Sequence, residues 1–336
     1  MAGLPPTSNR LQAPVDGGGL PDGWIRAEVA ALSACGPMRD QNEDRLGWTV
    51  LGELASVRSP GSDQPVNAVL EGPGIAIAVA DGLGGHSYGE LASRTAIGRL
   101  LRRLSSPEAV AKPGDLLRAG FEDANQACLT GDLVDPEAFE CDPVGAGPRS
   151  TPGRHPAVGT GASPDPGLRP VVRTGQTTLT AIALTGRSGS VAHVGDSRLY
   201  RLRDGGMELL TNDHTQAREL VRMHLIKPEQ VLTHPGRHLL TRSIGGDLMV
   251  RVDERASPPR AGDAYLLCSD GLWSSVTSWE ALSALSGDLA TGVTNLVAQS
   301  VAAGGDDNAS VIALRVTALA GGSEPSTTPW RLPWHR

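Results

Sequence analysis

Lysine is nearly missing from this chain of 336 residues, occurring only as Lys112 and Lys227, so positive charge rests on arginine. Arginine's planar fork grips phosphate or carboxylate at two points, although a proteome-wide codon bias gives the same pattern and is the simpler explanation. Neither lysine stands in a glycine turn and no GxxxxGK run occurs, which argues against a nucleotide-binding phosphate loop. Cysteine is scarce too. Cys35, Cys128, Cys141 and Cys268 form no CxxC pair, so neither a structural zinc site nor a disulfide framework is indicated. None is followed six positions later by arginine, the spacing that a cysteine phosphatase needs. Reduced thiols and a cytoplasmic location are expected. No apolar run approaches the about 18 to 20 residues that span a bilayer, and the start lacks a signal peptide's basic-then-apolar order. Net positive charge is also lacking. The formal balance is -7, so neither nucleic acid nor an anionic membrane is expected as a partner, while cations suit it.

What is present falls into structured and unstructured stretches. Residues 1–25 are rich in Gly and Pro without periodicity and read as a disordered arm. Residues 135–170 have the same character and are too long for a tight connection, so they read as a disordered insertion. Residues 319–336 form a similar tail, ending "PWRLPWHR". Between them, "GIAIAVADG", "TLTAIALTG", "GSVAHVGDSRLYRLRDGG", "DAYLLCSDG" and "ASVIALRV" are short, rich in β-branched residues and bounded by Gly or Asp, as strands are. "SYGELASRTAIGRLLRRL", "PGDLLRAGFEDANQACLT", "TQARELVRMHLI" and "SWEALSALSG" carry helical spacing. Strand clusters punctuated by helical pairs predict sheets packed on each other with helices outside.

The acids follow that pattern. Asp81 ends "GIAIAVA", Asp196 sits at the turn of "VAHVGDSRLY", Asp270 ends "AYLLCS", and Asp307 precedes "NASVIALRV"; Glu43 and Asp44 precede another strand-like piece. One such residue is a turn former. Several, if the strand ends converge, repel one another by about 4 kcal/mol per pair at about 4 Å and an effective dielectric of 20. A divalent cation removes that penalty, and carboxylates, a glycine carbonyl and water are the ligands Mg²⁺ and Mn²⁺ prefer.

The set "RDQNED", "DGLGGHSYGELAS", "GQTT", "VGDSRLYRL", "LTNDHT", "LLTRSIGG", "LLCSDGL" and "DN" resembles, in order and spacing, the metal-dependent protein phosphatases of the PP2C (PPM) type in their bacterial form. The resemblance covers about residues 27–316 apart from the insertion. It implies an α+β fold, a central β-sandwich of two antiparallel sheets flanked by α-helical hairpins, in one domain over 26–318 with a flap at 212–247. It implies Mn²⁺ or Mg²⁺, two ions and a weaker third. Asp81 would bridge two metals, with the Gly82 carbonyl and Glu43 on the second, Asp270 and Asp307 on the first, Asp44 nearby through water, and Asp196 with Asp270 at the third. Arg39 would clamp phosphate. The reaction implied is hydrolysis of phosphoserine and phosphothreonine by a metal-bridging hydroxide without a phospho-enzyme. Partners would be phosphorylated proteins, including a Ser/Thr kinase and its substrates, in cytoplasmic signalling.

Three departures stand out. Many eukaryotic members have a histidine where this chain has Leu83, which cannot donate a proton, so a metal-bound water is expected in that role. "GGDDN" offers both Asp306 and Asp307, of which Asp307 directly precedes Asn308. The insertion stands just before "GQTT". His86 and His193 read as structural, and "HPGRH", with His234 and His238, mimics zinc spacing but has Pro and Gly breaking any helix and no acidic partner following it. The competing reading is a catalytically weak binding or sensor module that keeps the fold and loses the metals.

Overall fold

The computed structural model describes residues 19–53, 65–83, 87–133, 174–305 and 307–320. Most of the expected arm and tail, the 135–170 insertion, His86 and Asp306 lie outside them. In chain order the strands are β1 (Ile25–Ala34), β2 (Arg45–Val50), β3 (Val66–Gly72), β4 (Gly74–Ala80), β5 (Gly82–Leu83), β6 (Gln176–Thr177) and β7 (Leu179–Thr185). They continue with β8 (Gly189–Val194), β9 (Arg198–Arg203), β10 (Gly206–Leu209), β11 (Asp253–Ala256), β12 (Ala264–Cys268) and β13 (Ala309–Leu319). The helices are α1 (Ser87–Leu104), α2 (Glu108–Ala111), α3 (Pro113–Thr130), α4 (Gln216–Arg222), α5 (Asp270–Trp273), α6 (Ser278–Ser286) and α7 (Leu289–Ala302).

The side-chain period of two in a strand explains the layering. In β4, Ile75, Ile77 and Val79 face one way and Ala76, Ala78 and Ala80 the other, and all six are buried. The large side chains join Val29, Trp48, Ile182, Tyr265 and Ile312 in the core between two sheets. The alanines meet Ile97, Leu100, Leu101 and Phe121 of α1 and α3, where small residues let the helices approach. At Gly47 the approach leaves no room for a side chain, since a Cβ would stand 2.6 Å from Ile97 Cγ2. One sheet has the order β11-β8-β7-β4-β2 and the other β10-β9-β12-β13-β1-β3, with antiparallel pairing throughout. The outer face of the second sheet buries Leu32, Leu266 and Ala313 against Leu285, Val293 and Leu296 of α6 and α7. The expected sandwich of two antiparallel sheets between helical pairs is therefore the fold.

Two expectations need adjusting. β1 and β13 pair from Ile25↔Leu319 to Ala34↔Ala309, one residue beyond the boundaries expected at 26 and 318, because Ile25 is fully buried in the sandwich. The helix expected from "TQARELVRMHLI" is shorter. Thr215 caps it by accepting from the Arg218 N–H, and it ends at Arg222, with His224 at φ 58°.

Adjacent positions of β4 should respond oppositely to volume. Ile77→Ala opens a cavity between the sheets and should cost about 2–5 kcal/mol, whereas Ala78→Leu overfills the helix-facing side and should cost about 1–3 kcal/mol. Urea unfolding midpoints of the two variants check both.

Candidate metal centre

The acid-bearing loops are pinned to one another by hydrogen bonds from neutral side chains and backbone groups. The end of β4 is held by the "GQTT" segment. Thr178 Oγ1 accepts from the Asp81 N–H at 2.9 Å, while the Asp81 carbonyl accepts from the Thr178 N–H at 2.8 Å and from Thr177 Oγ1 at 2.7 Å. Thr178 Oγ1 also lies 2.9 Å from Ser197 Oγ, in the "GDS" turn that carries Asp196. The Glu43 N–H donates to Asn308 Oδ1 at 2.9 Å, and Ser93 Oγ of α1 donates to the Glu43 carbonyl at 2.5 Å. Ser269 Oγ donates to Asp44 Oδ2 at 2.8 Å and accepts from the Ser310 N–H at 3.0 Å. Close backbone approach demands glycine at two of these joints. A Cβ on Gly82 would meet the Gly89 carbonyl oxygen at 2.4 Å, and one on Gly271 the Asn308 carbonyl oxygen at 2.2 Å.

These contacts bring Arg39, Glu43, Asp81, Gly82, Asp196, Asp270 and Asp307 to the lining of one cleft of about 480 Å³. Asp44, 2 % exposed, is hydrogen-bonded to Ser269 beside Asp270. All eight residues singled out from the sequence thus lie in one place. Arg39 Nη2 donates to Asp307 Oδ2 at 2.8 Å. Leu83 also lines the cleft.

The electrostatics are those of crowded like charges. Burial and then Asp44, Asp270, Asp196 and Asp307 hold the Asp81 carboxyl well above the usual range. Burial and then Asp270 and Asp213 do the same to Asp196. Burial pushes Asp44 up to about 7 against the hydrogen bonds from Ser310 and Ser269, with Asp270 and Asp307 adding to the rise. Asp44 Oδ1 and Asp270 Oδ1 are buried without a hydrogen-bond partner among the described residues. Oxygen donors, orphaned acceptor atoms and unrelieved repulsion together fit hard divalent cations.

The structure also brings in a residue that sequence reading set aside. His238 lines the cleft, with Nδ1 3.1 Å from Asp270 Oδ2. His234 instead accepts from the Gly236 N–H at 3.0 Å through its own Nδ1. His193 is buried between Thr180 Oγ1 at 2.8 Å and the Asn212 carbonyl at 3.0 Å.

Residues 57–300 match the family model described as Protein phosphatase 2C. The chain belongs to the protein phosphatase 2C family. It is 34% identical over 237 residues to the serine/threonine protein phosphatase PstP of Mycobacterium tuberculosis, an alignment covering 70% of this chain and 39% of that protein. The chain thus spans about two fifths of the length of that relative. It is 28% identical over 255 residues to a serine/threonine phosphatase stp of Listeria welshimeri, covering 74% of this chain and 88% of the relative. Among solved structures, the Mycobacterium tuberculosis serine/threonine phosphatase PstP/Ppp superposes with a TM-score of 0.64 at 29% identity, over 87% of this chain and 99% of that one. The catalytic domain of PstP in complex with two manganese ions gives a TM-score of 0.56 at 28% identity, over 87% and 99% of the two chains.

Without added metal, Asp44→Asn should stabilise the protein above pH 7. An acid whose folded-state pKa is raised to about 7 from 3.8 carries its full penalty above about 7, a decreasing one as pH falls, and none below about 4. The gain in unfolding free energy of the variant over the wild type should therefore shrink across that window, with a slope of up to about 1.4 kcal/mol per pH unit. Chelator-treated samples unfolded in urea at pH 4 to 8 test this. A difference independent of pH would refute it.

Proposed function

We propose that this protein phosphatase 2C member is a metal-dependent phosphoprotein phosphatase acting on phosphoserine and phosphothreonine. The observation that carries the reading is the convergence of Glu43, Asp81, Asp196, Asp270 and Asp307 with Arg39 in one cleft. Asp81, Glu43, the Gly82 carbonyl, Asp270 and Asp307 would hold two divalent ions, Mn²⁺ by analogy with the mycobacterial structure or Mg²⁺. Asp44 would act through water, and Asp196 with Asp270 would hold a weaker third ion. When bound, such ions acidify water and offset the negative charge of the phosphoryl oxygens.

The chain's own part is positioning. Asp307 orients Arg39 from one side at 2.8 Å, which suits the guanidinium to charge-assisted hydrogen bonds with phosphoryl oxygens. Thr177 and Thr178 fix the backbone of Asp81, and Ser93 and Asn308 fix that of Glu43, so the backbones that carry these carboxylates are set in place before loading. The segment 212–247 supplies Arg237, His238 and Leu240 to the cleft lining and serves as the flap beside the substrate. The relatives' names support phosphorylated proteins as substrates. A Ser/Thr kinase with its substrates as partners, and a cytoplasmic location, belong to the same proposal. Among the described residues no helix is long and apolar enough to cross a membrane.

The full chain with Mn²⁺ should release phosphate from a phosphothreonine peptide, and chelator or Asp81→Asn should abolish release. Turnover surviving both would reject the mechanism, and firm Mn²⁺ binding without turnover would favour a binding module. Arg39→Lys, which loses the fork, should lower kcat/KM by about 10- to 100-fold, the equivalent of about 1.5–3 kcal/mol for hydrogen bonds to a charged group.

A further inference from the structure

His238 closes the short 3₁₀ turn Pro235–His238, and its imidazole is held rather than free. It stacks on Trp273 with ring centroids 6.3 Å apart and planes 23° apart. Trp273 in turn donates its indole N–H to the Asp196 carbonyl at 2.9 Å and carries the Arg198 guanidinium 3.6 Å from its ring centroid. The stack therefore fixes the imidazole against the loop that bears Asp196. Asp196, His238 and Asp270 each present one donor atom within 4.8 Å of the other two. Asp270 Oδ2 is 3.1 Å from His238 Nδ1, while Asp270 Oδ1 is buried without a hydrogen-bond partner among the described residues.

We infer that His238 is a nitrogen ligand at the Asp196–Asp270 cation position and makes that position select Mn²⁺ and later first-row ions over Mg²⁺. The inference rests on the reading of the acids as a divalent-cation centre and adds to it a ligand from the segment 212–247. Carboxylates alone accept Mg²⁺ readily, whereas imidazole favours transition metals, so one nitrogen in an oxygen set changes which ion wins. Arg237 Nε donates to His238 Nε2 at 2.8 Å, which leaves the ring proton on Nδ1, facing Asp270. Ligation through Nδ1 shifts that proton to Nε2 and ends the bond from Arg237, so cation uptake at this position also frees a guanidinium that lines the same cleft.

The test uses the full chain, stripped with chelator and reloaded with Mn²⁺. Pulsed electron paramagnetic resonance should detect a directly coordinated ¹⁴N in the wild type, and His238→Ser should lose it while still taking up Mn²⁺ at the remaining positions. Calorimetric titrations with Mn²⁺ and with Mg²⁺ should show the preference for Mn²⁺ at the weakest site falling at least about tenfold in His238→Ser. His238→Asn, closer in size and offering an amide oxygen, should show the same fall. A wild-type spectrum without ¹⁴N coupling would overturn the inference by itself, as would coupling or ion preference unchanged in both variants. Each of those results leaves the wider metal reading intact. A wild type that binds neither ion would overturn both.

Discussion

Asp44, Asp81, Asp196, Asp270 and Asp307 are held close against their mutual repulsion, and the rest of the structure is arranged to make that possible. Two carboxylates brought to about 4 Å cost on the order of 4 kcal/mol at an effective dielectric of 20, more than most single hydrogen bonds return. The scaffold withstands this because the acids stand on loops whose backbones are tied to neutral groups. Thr177, Thr178, Ser197, Ser269, Ser310 and Asn308 link five loops from both sheets. The sandwich supplies the rigidity. Its inter-sheet core is built of buried Ile, Val and Leu side chains with Trp48 and Tyr265, and the loops at one end have little freedom to move apart.

The two-sheet architecture also explains why the acids come from so many parts of the chain. Asp81 follows β4 of one sheet, and Asp196 lies between β8 of that sheet and β9 of the other. Asp270 follows β12, and Asp307 precedes β13, both of the second sheet. A centre assembled across two sheets depends on the sheets keeping their relative position. Core packing is thus a condition for the geometry of the site and not merely for stability.

Legibility in the sequence followed the range of the interactions involved. α1 and α3 were read to the residue because their signals are local: apolar spacing in α1, Pro113 at the first turn of α3, and Gly131 in the left-handed region at φ 71° after it. α7 escaped notice because Gly292 and its β-branched residues dilute the helical pattern, and its cap, Asp288 accepting from Thr291, lacks the glutamate that makes such a start visible. β1 and β3 escaped as well, since four of the ten residues of β1 are alanine and β3 is exposed at alternate positions. The acids were visible because each ends a strand and the motifs recur in order. His238 was not, because its acidic partner is 32 positions away and nothing in "HPGRH" points to it. The hydrogen bonds donated by Ser93 and Ser269 and the one accepted by Asn308 were invisible for the same reason.

The placement of arginine decides how much of the negative charge the protein itself offsets. Arg198 is two residues from Asp196, yet its guanidinium is committed to Asp213, with Nε to Oδ1 at 2.9 Å and Nη2 to Oδ2 at 2.7 Å. Asp213 is further engaged by Arg218 of α4 at 3.3 Å, which anchors the root of the 212–247 segment. Arg45 follows Asp44 directly but turns to Glu90 and to the carbonyls of Asn42 and Asp44. Arg39 alone among these three reaches a carboxylate of the cleft, and it takes Asp307 at the rim. A buried ion pair such as Arg198–Asp213 is costly to break, about 3–5 kcal/mol when one partner is removed, so these cations cannot swing over to relieve Asp81 or Asp196. The fold therefore fixes its acids while committing Arg198 and Arg45 elsewhere and placing Arg39 on Asp307, so Asp81 and Asp196 stay well above the usual carboxylate range and compensation at the centre of the cleft is left to ions from outside.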